Sequence, residues 1–226
     1  MQTAVHSPAG LAARIRARAL EMLRVMGIPP TRYPSYPHEF SGGMRQRIMI
    51  ALALVLGPRF VVADEPTTAL DVMVEAQIVR LLADLRREQD TAMLLITHNL
   101  GIVAEACDRV AVMYAGEIVE IGDSRQVFAD PRHPYTRELL RSTISLSTQG
   151  LTYIPGAPPD LVEPPSGCRF HPRCPNAMRG CISRRPPVIT APGASAAMCW
   201  LHALDRLDAS EQEPAVREVI AVAEEA

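Results

Sequence analysis

The chain has 226 residues, 48% hydrophobic and 4% aromatic, with a formal net charge of −2. That length allows one domain and an appendage, and the apolar content is ample for a core. The near-zero charge argues against general nucleic-acid binding, and the few aromatic rings argue against a stacking platform for single strands.

The longest strongly apolar run, near Ile48 to Ala63, is interrupted by Gly57, Pro58 and Arg59 and falls short of the roughly 20 residues that span a bilayer. Arg14, Arg16 and Arg18 sit inside a helix-like stretch rather than before an apolar one, so the start does not read as a signal peptide. The expected location is cytoplasmic, with any membrane contact made through a partner.

Ala9 to Met26 places Leu11, Ile15, Ala19, Met22, Leu23 and Met26 on one helical stripe. Pro29, Pro30, Pro34 and Pro37 then break any helix. Ser41 is placed to cap a helix from Gly43 to about Leu56, which Gly57-Pro58 ends. Phe60 to Ala63 reads as a short buried strand, Val72 to Gln89 as an amphipathic helix, Ala92 to Thr97 as a strand and Leu100 to Cys107 as a short helix. Val110 to Tyr114 and Glu117 to Ile121 are strands joined by Ala115-Gly116, a hairpin signal. Strands alternating with helices through Tyr114 predict a parallel α/β sheet. Gln126 to Phe128 and Pro134 to Ser142 read as short helices, and Pro155 to Pro165 as a Pro-rich connector into a cysteine-rich segment. Asp205 to Ala226 holds seven acids against two arginines and reads as a frayed helix or a disordered tail.

Two stretches carry chemistry. In the first, FSGGMRQRIM from Phe40 to Met49, Ser41, Gly42 and Gly43 open a helix whose exposed N–H groups and positive end suit a phosphate. In the second, FVVADEPTTALD from Phe60 to Asp71, an apolar strand ends in adjacent acids, Asp64 and Glu65. Sheets of this class place ligands at strand ends. The strand MLLITH, Met93 to His98, ends in a histidine. Phosphate-binding backbone, an acid for magnesium and an acid to activate water read together as nucleotide hydrolysis.

Cys168, Cys174, Cys181 and Cys199 follow the spacing C-x5-C-x6-C-x17-C, while Cys107 stands apart and reads as a buried small hydrophobe. Four clustered cysteines in a cytoplasmic chain favour a metal over disulfides. The spacing lacks the C-x2-C knuckles usual for structural zinc. An iron–sulfur cluster, zinc and unligated packed thiols all stay open on the spacing; His171 and His202 are spare ligands nearby.

With these motifs the chain resembles the ATP-binding subunits of ATP-binding-cassette (ABC) transporters, specifically the dipeptide/oligopeptide/nickel importer group. HPYTREL at His133 to Leu139, IPGAPPDL at Ile154 to Leu161 and EPPSGCRFHPRCP around Cys168 and Cys174 are similar to that group's C-terminal region. The resemblance covers nearly everything from Leu11 to Leu204. It implies a partial ABC-type P-loop NTPase cassette, α/β with a helical signature region, over residues 1–142. A small Cys-rich extension follows over 143–204, and then an acidic tail over 205–226.

By the resemblance, Ser41, Gly42 and Gly43 close over the γ-phosphate of ATP held by the opposite subunit. Asp64 supports magnesium through water, Glu65 polarises the attacking water, Asp71 communicates across the subunit interface, and His98 contacts the γ-phosphate. Some members of the group carry a 4Fe–4S cluster on the cysteines, which puts that reading ahead of zinc here. The implied partners are a second ABC ATPase subunit, two membrane permeases and, indirectly, an extracytoplasmic solute-binding protein. No nucleic acid is implied. The subunit would sit on the inner face of the plasma membrane.

One part of the pattern is missing. A P-loop, G-x-x-x-x-G-K-S/T, needs a lysine, yet all 23 basic residues are arginine. Arginine's planar fork replaces a compact ammonium poorly in a tight loop. The chain thus reads as beginning inside the cassette, either as a truncated or split product or as a half-site subunit lending its signature turn to a P-loop-bearing partner. A metal-binding module on a degenerate cassette is the further alternative. The isolated chain is expected to be inactive as an ATPase, and its apolar sheet face is expected to be exposed.

Overall fold

The structure is a computed structural model that describes residues 8–67, 72–89, 91–142 and 153–215. The chain divides into two compact units, Met1–Ile102 and Val103–Ala226.

In the first unit, α1 (Pro8–Val25) leads through two single-turn 3-10 segments, Pro30–Arg32 and Pro37–Glu39, to α2 (Gly42–Leu54). The prolines force those short turns because each removes a backbone donor and fixes φ. Strand β1 (Phe60–Asp64), α3 (Val72–Gln89) and β2 (Ala92–Ile96) follow, and β1 pairs parallel with β2 from Phe60↔Ala92 to Asp64↔Ile96. A parallel pair needs a crossover, which α3 supplies. The predicted α3 stripe is the core stripe: Ile78, Leu82 and Leu85 are buried with Met22, Met26, Ile28, Phe40, Ile50 and Leu54. Arg18 Nε donates to the carbonyl of Val55 at the end of α2, and Arg47 donates both to Met26 O and to Gln77 Oε1.

Two expectations for this unit are corrected. The stripe of α1 is buried only at its C-terminal end, for Leu11 and Ile15 are exposed. Strand β1 is not buried throughout. Its residues alternate, leaving Phe60 and Val62 exposed beside Leu94 and Ile96 of β2. Only one face of this two-stranded sheet lies on a core, so the period-2 pleat turns every second side chain outward. An exposed apolar sheet face is therefore present, as expected.

The second unit is built on a four-stranded sheet of order β3-β4-β6-β5, with β3 (Arg109–Tyr114), β4 (Glu117–Asp123), β5 (Val188–Ile189) and β6 (Ala196–Met198) all antiparallel. Helix α4 (Leu100–Ala106) precedes β3 in the chain. The parallel arrangement predicted through Tyr114 thus fails at β3. Ala115 and Gly116 adopt φ of +48° and +81°, the paired left-handed turn that sends a strand straight back along its neighbour. Helices α5 (Ser124–Ala129), capped by Asp123, and α6 (Pro134–Arg141), capped by His133, follow β4. A short α7 (Arg179–Ser183) lies in the cysteine segment.

The core of this unit joins Val112, Tyr114, Val119 and Val127 to Cys168, Phe170, Cys181, Met198 and Trp200. The hairpin and the cysteine segment therefore share one sheet and one core.

Cys107 is only half-buried, not the buried hydrophobe expected from its type. The acidic stretch after Asp205 is neither a frayed helix nor loose over its described part. Glu211 accepts two bonds from Arg184 at 2.9 and 2.7 Å, Glu213 pairs with Arg179 at 3.2 Å, and Met178 bridges Pro214. Its arginine partners lie upstream, in the cysteine segment. Residues 216–226 lie outside the described ones.

Candidate functional site

Ser41 caps α2 from extended backbone, its Oγ accepting from Met44 N at 3.4 Å. The two glycines that follow differ in purpose. A Cβ at Gly42 would meet nothing within 4 Å, whereas one at Gly43 would lie 2.8 Å from Val74 Cγ1. Gly43 is thus needed for the close approach of α2 to α3, while Gly42 leaves open space in front of the helix. Gln46 Nε2, one turn further, donates to Pro66 O at 2.5 Å and ties α2 to the turn after β1.

Asp64 ends β1 and is exposed. Glu65 begins the turn with φ +46°, a left-handed conformation that non-glycine residues rarely take, and its N–H donates to Ile96 O at 2.9 Å. Such strain is tolerated where the surroundings fix it, most often at functional sites. His98 Nδ1 lies 2.8 Å from Glu65 Oε1, with the two side chains 83% and 37% exposed. So exposed a pair contributes little to stability; what it fixes is orientation. The turns carrying the two residues are linked by Glu75 of α3, which accepts from Thr67 Oγ1 at 2.8 Å and from Asn99 Nδ2 at 3.3 Å. Asn99 Oδ1 in turn accepts from the N–H groups of Gly101 and Ile102. Nothing in the motif reading singled out Glu75, whose spacing marks it only as one polar position on a helix. Asp71 and Thr68 lie outside the described residues.

The second candidate site is a cavity in the other unit, lined by Cys168, Cys174, Cys181 and Cys199 together with His133, Phe170, His171 and Trp200. The four cysteines of this segment thus converge. Gly167 makes this feasible: at φ +65° its Cα side packs directly on the backbone of Cys181 and Ile182, and Cys168 N donates to Cys181 O at 2.8 Å. Burial pushes the Cys168 and Cys174 thiols up to about 12 and Cys199 up to about 11, and it raises Cys181 as well. Against that, backbone N–H groups are aimed at each sulfur: Phe170 and His171 at Cys168, Asn176 at Cys174, Met178 at Cys181 and Leu201 at Cys199.

Buried thiols ringed by N–H donors are a donor set for anionic sulfur, the form that ligates metal. Among the described residues, no group of three or more His, Cys, Asp or Glu side chains is gathered so as to hold a metal ion. Thiolates on one zinc, at ~2.3 Å each, would have to lie within about 4.6 Å of one another. An iron–sulfur cluster spreads its four ligands over separate irons and does not demand that closeness. His171 Nδ1 is engaged with Cys168 O, and His202, which does not line the cavity, with Arg132 O.

The cavity wall rests on a buried carboxylate. Glu120 of β4 accepts from Arg132 N and His133 N, each at 2.9 Å, and from Ser195 Oγ at 2.5 Å. Arg132 Nη1 donates to the carbonyls of Ile189 and Ser195. His133 is 1% exposed, and burial holds its ring down at about 4, with Glu120 opposing that shift.

Comparison with known proteins agrees with both units. The ABC transporter family model matches residues 5–68, and the model of the oligopeptide/dipeptide transporter C-terminal region matches residues 119–181. The dipeptide transport ATP-binding protein DppD of Bacillus subtilis is 50% identical over 191 residues, covering 83% of this chain and 57% of that protein. The oligopeptide transport ATP-binding protein OppD of Salmonella typhimurium is 51% identical over 179 residues, covering 77% and 53%. The chain therefore spans a little over half the length of these relatives. Among solved structures, an ATP-binding cassette of an ABC transporter in its ADP conformation matches with a TM-score of 0.50 at 25% identity, covering 57% of this chain and 51% of that one. The signature turn, the acid-ended strand and Cys168, Cys174 and Cys181 thus lie in matched sequence, and the chain belongs to the ABC transporter ATP-binding proteins of the oligopeptide/dipeptide type.

Proposed function

We propose that the chain serves as an ATP-binding subunit of an ABC importer that takes up peptides or a related solute. In this reading Ser41, Gly42 and Gly43 bind the γ-phosphate of a nucleotide held by a partner ATPase. Asp64 holds magnesium through water, Glu65 orients water, His98 contacts phosphate and Asp71 signals across the interface. The observation that supports it most is the 2.8 Å pairing of Glu65 with His98 at the ends of two adjacent parallel strands. ATP and Mg²⁺ are the ligands. The partners are a second ATPase subunit, two permeases and, beyond the membrane, a solute-binding protein. No helix among the described residues is long and apolar enough to cross a membrane, which suits a subunit held at the cytoplasmic face by its permeases.

The test is binding of a fluorescent ATP analogue with Mg²⁺, to the chain alone and to the chain mixed with a P-loop-bearing partner. Weak binding alone and tighter binding or hydrolysis by the pair is the expected result. Steady ATP turnover by the chain alone, lost in Glu65→Gln, would overturn the expectation that the isolated chain is inactive.

For the cysteine cavity the same reading assigns a 4Fe–4S cluster held by Cys168, Cys174, Cys181 and Cys199. A cluster there would supply electron transfer or structural bracing. Iron and sulfide analysis of anaerobically purified chain tests it, against zinc content as the alternative.

A further inference from the structure

His133 lines the four-cysteine cavity and is nearly inaccessible to solvent. Its Nδ1 accepts the backbone N–H of Tyr135 at 3.0 Å as the N-cap of α6. A backbone amide can only donate, so Nδ1 carries no proton, and the proton of the neutral ring resides on Nε2. The ring is held in place from both ends of its residue: the His133 N–H is bonded to Glu120, and its carbonyl accepts from Arg137 N at 3.1 Å. Phe170 packs against the ring, the two centroids 6.0 Å apart. The neighbouring histidine on the cavity, His171, has its Nδ1 engaged with Cys168 O instead. His133 thus lines the cavity as a side chain with a fixed tautomer and its proton on Nε2, while the donors at the sulfurs are backbone amides.

We propose that His133 Nε2–H is a hydrogen-bond donor to the sulfur of a cluster held by the four cysteines, and that it sets the reduction potential of that cluster. The inference rests on the cluster reading above. A donor to sulfur stabilises the reduced, more negative state over the oxidised one, so its presence raises the potential. Glu120 acts at one remove as a positioning residue, since it holds the backbone of Arg132 and His133 against the cavity.

The test uses the full chain, loaded anaerobically with ferrous iron and sulfide and titrated potentiometrically, with the reduced fraction followed by absorbance and EPR. Two variants separate the donor from the cap. In His133→Asn, Oδ1 keeps the acceptor that caps α6 while the distal N–H is lost. His133→Phe removes both. Both should retain the four-iron spectrum and shift the potential downward by the equivalent of about a tenfold change in the one-electron equilibrium, about 59 mV.

Potentials unchanged in both variants would overturn the inference. A wild-type chain that takes up no iron and sulfide overturns instead the cluster reading beneath it. If neither variant loads, ring-¹⁵N-histidine labelling of the His171→Asn chain decides: pulsed EPR should show weak coupling of a histidine nitrogen to the reduced cluster, and its absence would count against the donor.

Discussion

His98 Nδ1 lies 2.8 Å from Glu65 Oε1 across 33 residues of chain, and neither turn holds that distance alone. Glu75 joins the two turns through Thr67 and Asn99. Parallel pairing of β1 and β2 sets the heights of the two residues, and the Glu75 carboxylate restrains the turns that carry them.

Replacing Glu75 should therefore loosen both turns together. Glu75→Ala leaves Thr67 and Asn99 without their acceptor and should cost about 1–3 kcal/mol. Glu75→Gln keeps one acceptor oxygen and should cost less. Amide exchange at Gly101 and Ile102, whose N–H groups depend on Asn99, should accelerate in the alanine variant. Unchanged exchange there would show that the turns stand without Glu75.

The glycines of the signature turn should separate under mutation. With open space around its Cβ position, Gly42→Ala should leave stability within about 0.5 kcal/mol of the parent. On the proposed function it should still weaken hydrolysis by a P-loop-bearing partner, because that reading puts the phosphate where the added methyl group would stand. Gly43→Ala should destabilise by about 1–3 kcal/mol through overpacking on Val74. Urea unfolding of both variants beside the mixed-subunit ATPase assay gives the four numbers required.

Glu120 offers a stability prediction free of any ligand. Glu120→Ala would strand the N–H groups of Arg132 and His133 and the Ser195 hydroxyl in a buried site, costing roughly 1–3 kcal/mol for each group left unpaired. The melting temperature should fall by several degrees or the unit should fail to fold, whereas Ser195→Ala should cost only about 1 kcal/mol. Equal losses from the two changes would contradict Glu120 as the hub.

Acid should destabilise the metal-free chain through His133. In the unfolded chain this histidine titrates near the ordinary 6.5, whereas burial holds it at about 4 in the fold. Below pH 6.5 the unfolded chain takes up a proton that the folded chain refuses, so stability present above 6.5 is lost as the pH falls toward 4. The loss should reach about 3 kcal/mol. His133→Asn should flatten this part of the stability–pH curve, which denaturant titration at several pH values would reveal.

Much of this was legible in the residues because local rules agreed with the fold. Helix α3 runs from Val72 to Gln89, as its apolar stripe predicts, and Ser41 caps α2. The hairpin at Ala115-Gly116 carries its turn chemistry in two residues. The failures have a common cause. Periodicity reports which side chains alternate and not which sheet a strand joins, so β3 read as a continuation of the parallel pair although its tight turn commits it to β4. Phe60 and Val62 have the composition of interior strand residues, and hydrophobicity alone does not say whether a second layer covers them. Glu75, Glu120 and His133 escaped as site residues because their roles arise from partners far along the chain, which spacing within one element does not encode.

The sheet of the second unit constrains how this protein can be made. Strand β4 pairs on one side with its hairpin partner β3, but its other neighbour is β6, which follows only after α5, α6 and the stretch that carries Cys168, Cys174 and Cys181. During synthesis from the N-terminus the inner edge of β4 must wait open until Ala196–Met198 has left the ribosome. Closing so long a loop is slow relative to forming the hairpin. Glu120, which pairs with Ala197 in that register, is an acidic residue carried on the waiting strand, and an acidic residue on an open strand discourages premature pairing with another chain. The carboxylate that later anchors the cavity wall would thus first act as a guard on the nascent sheet.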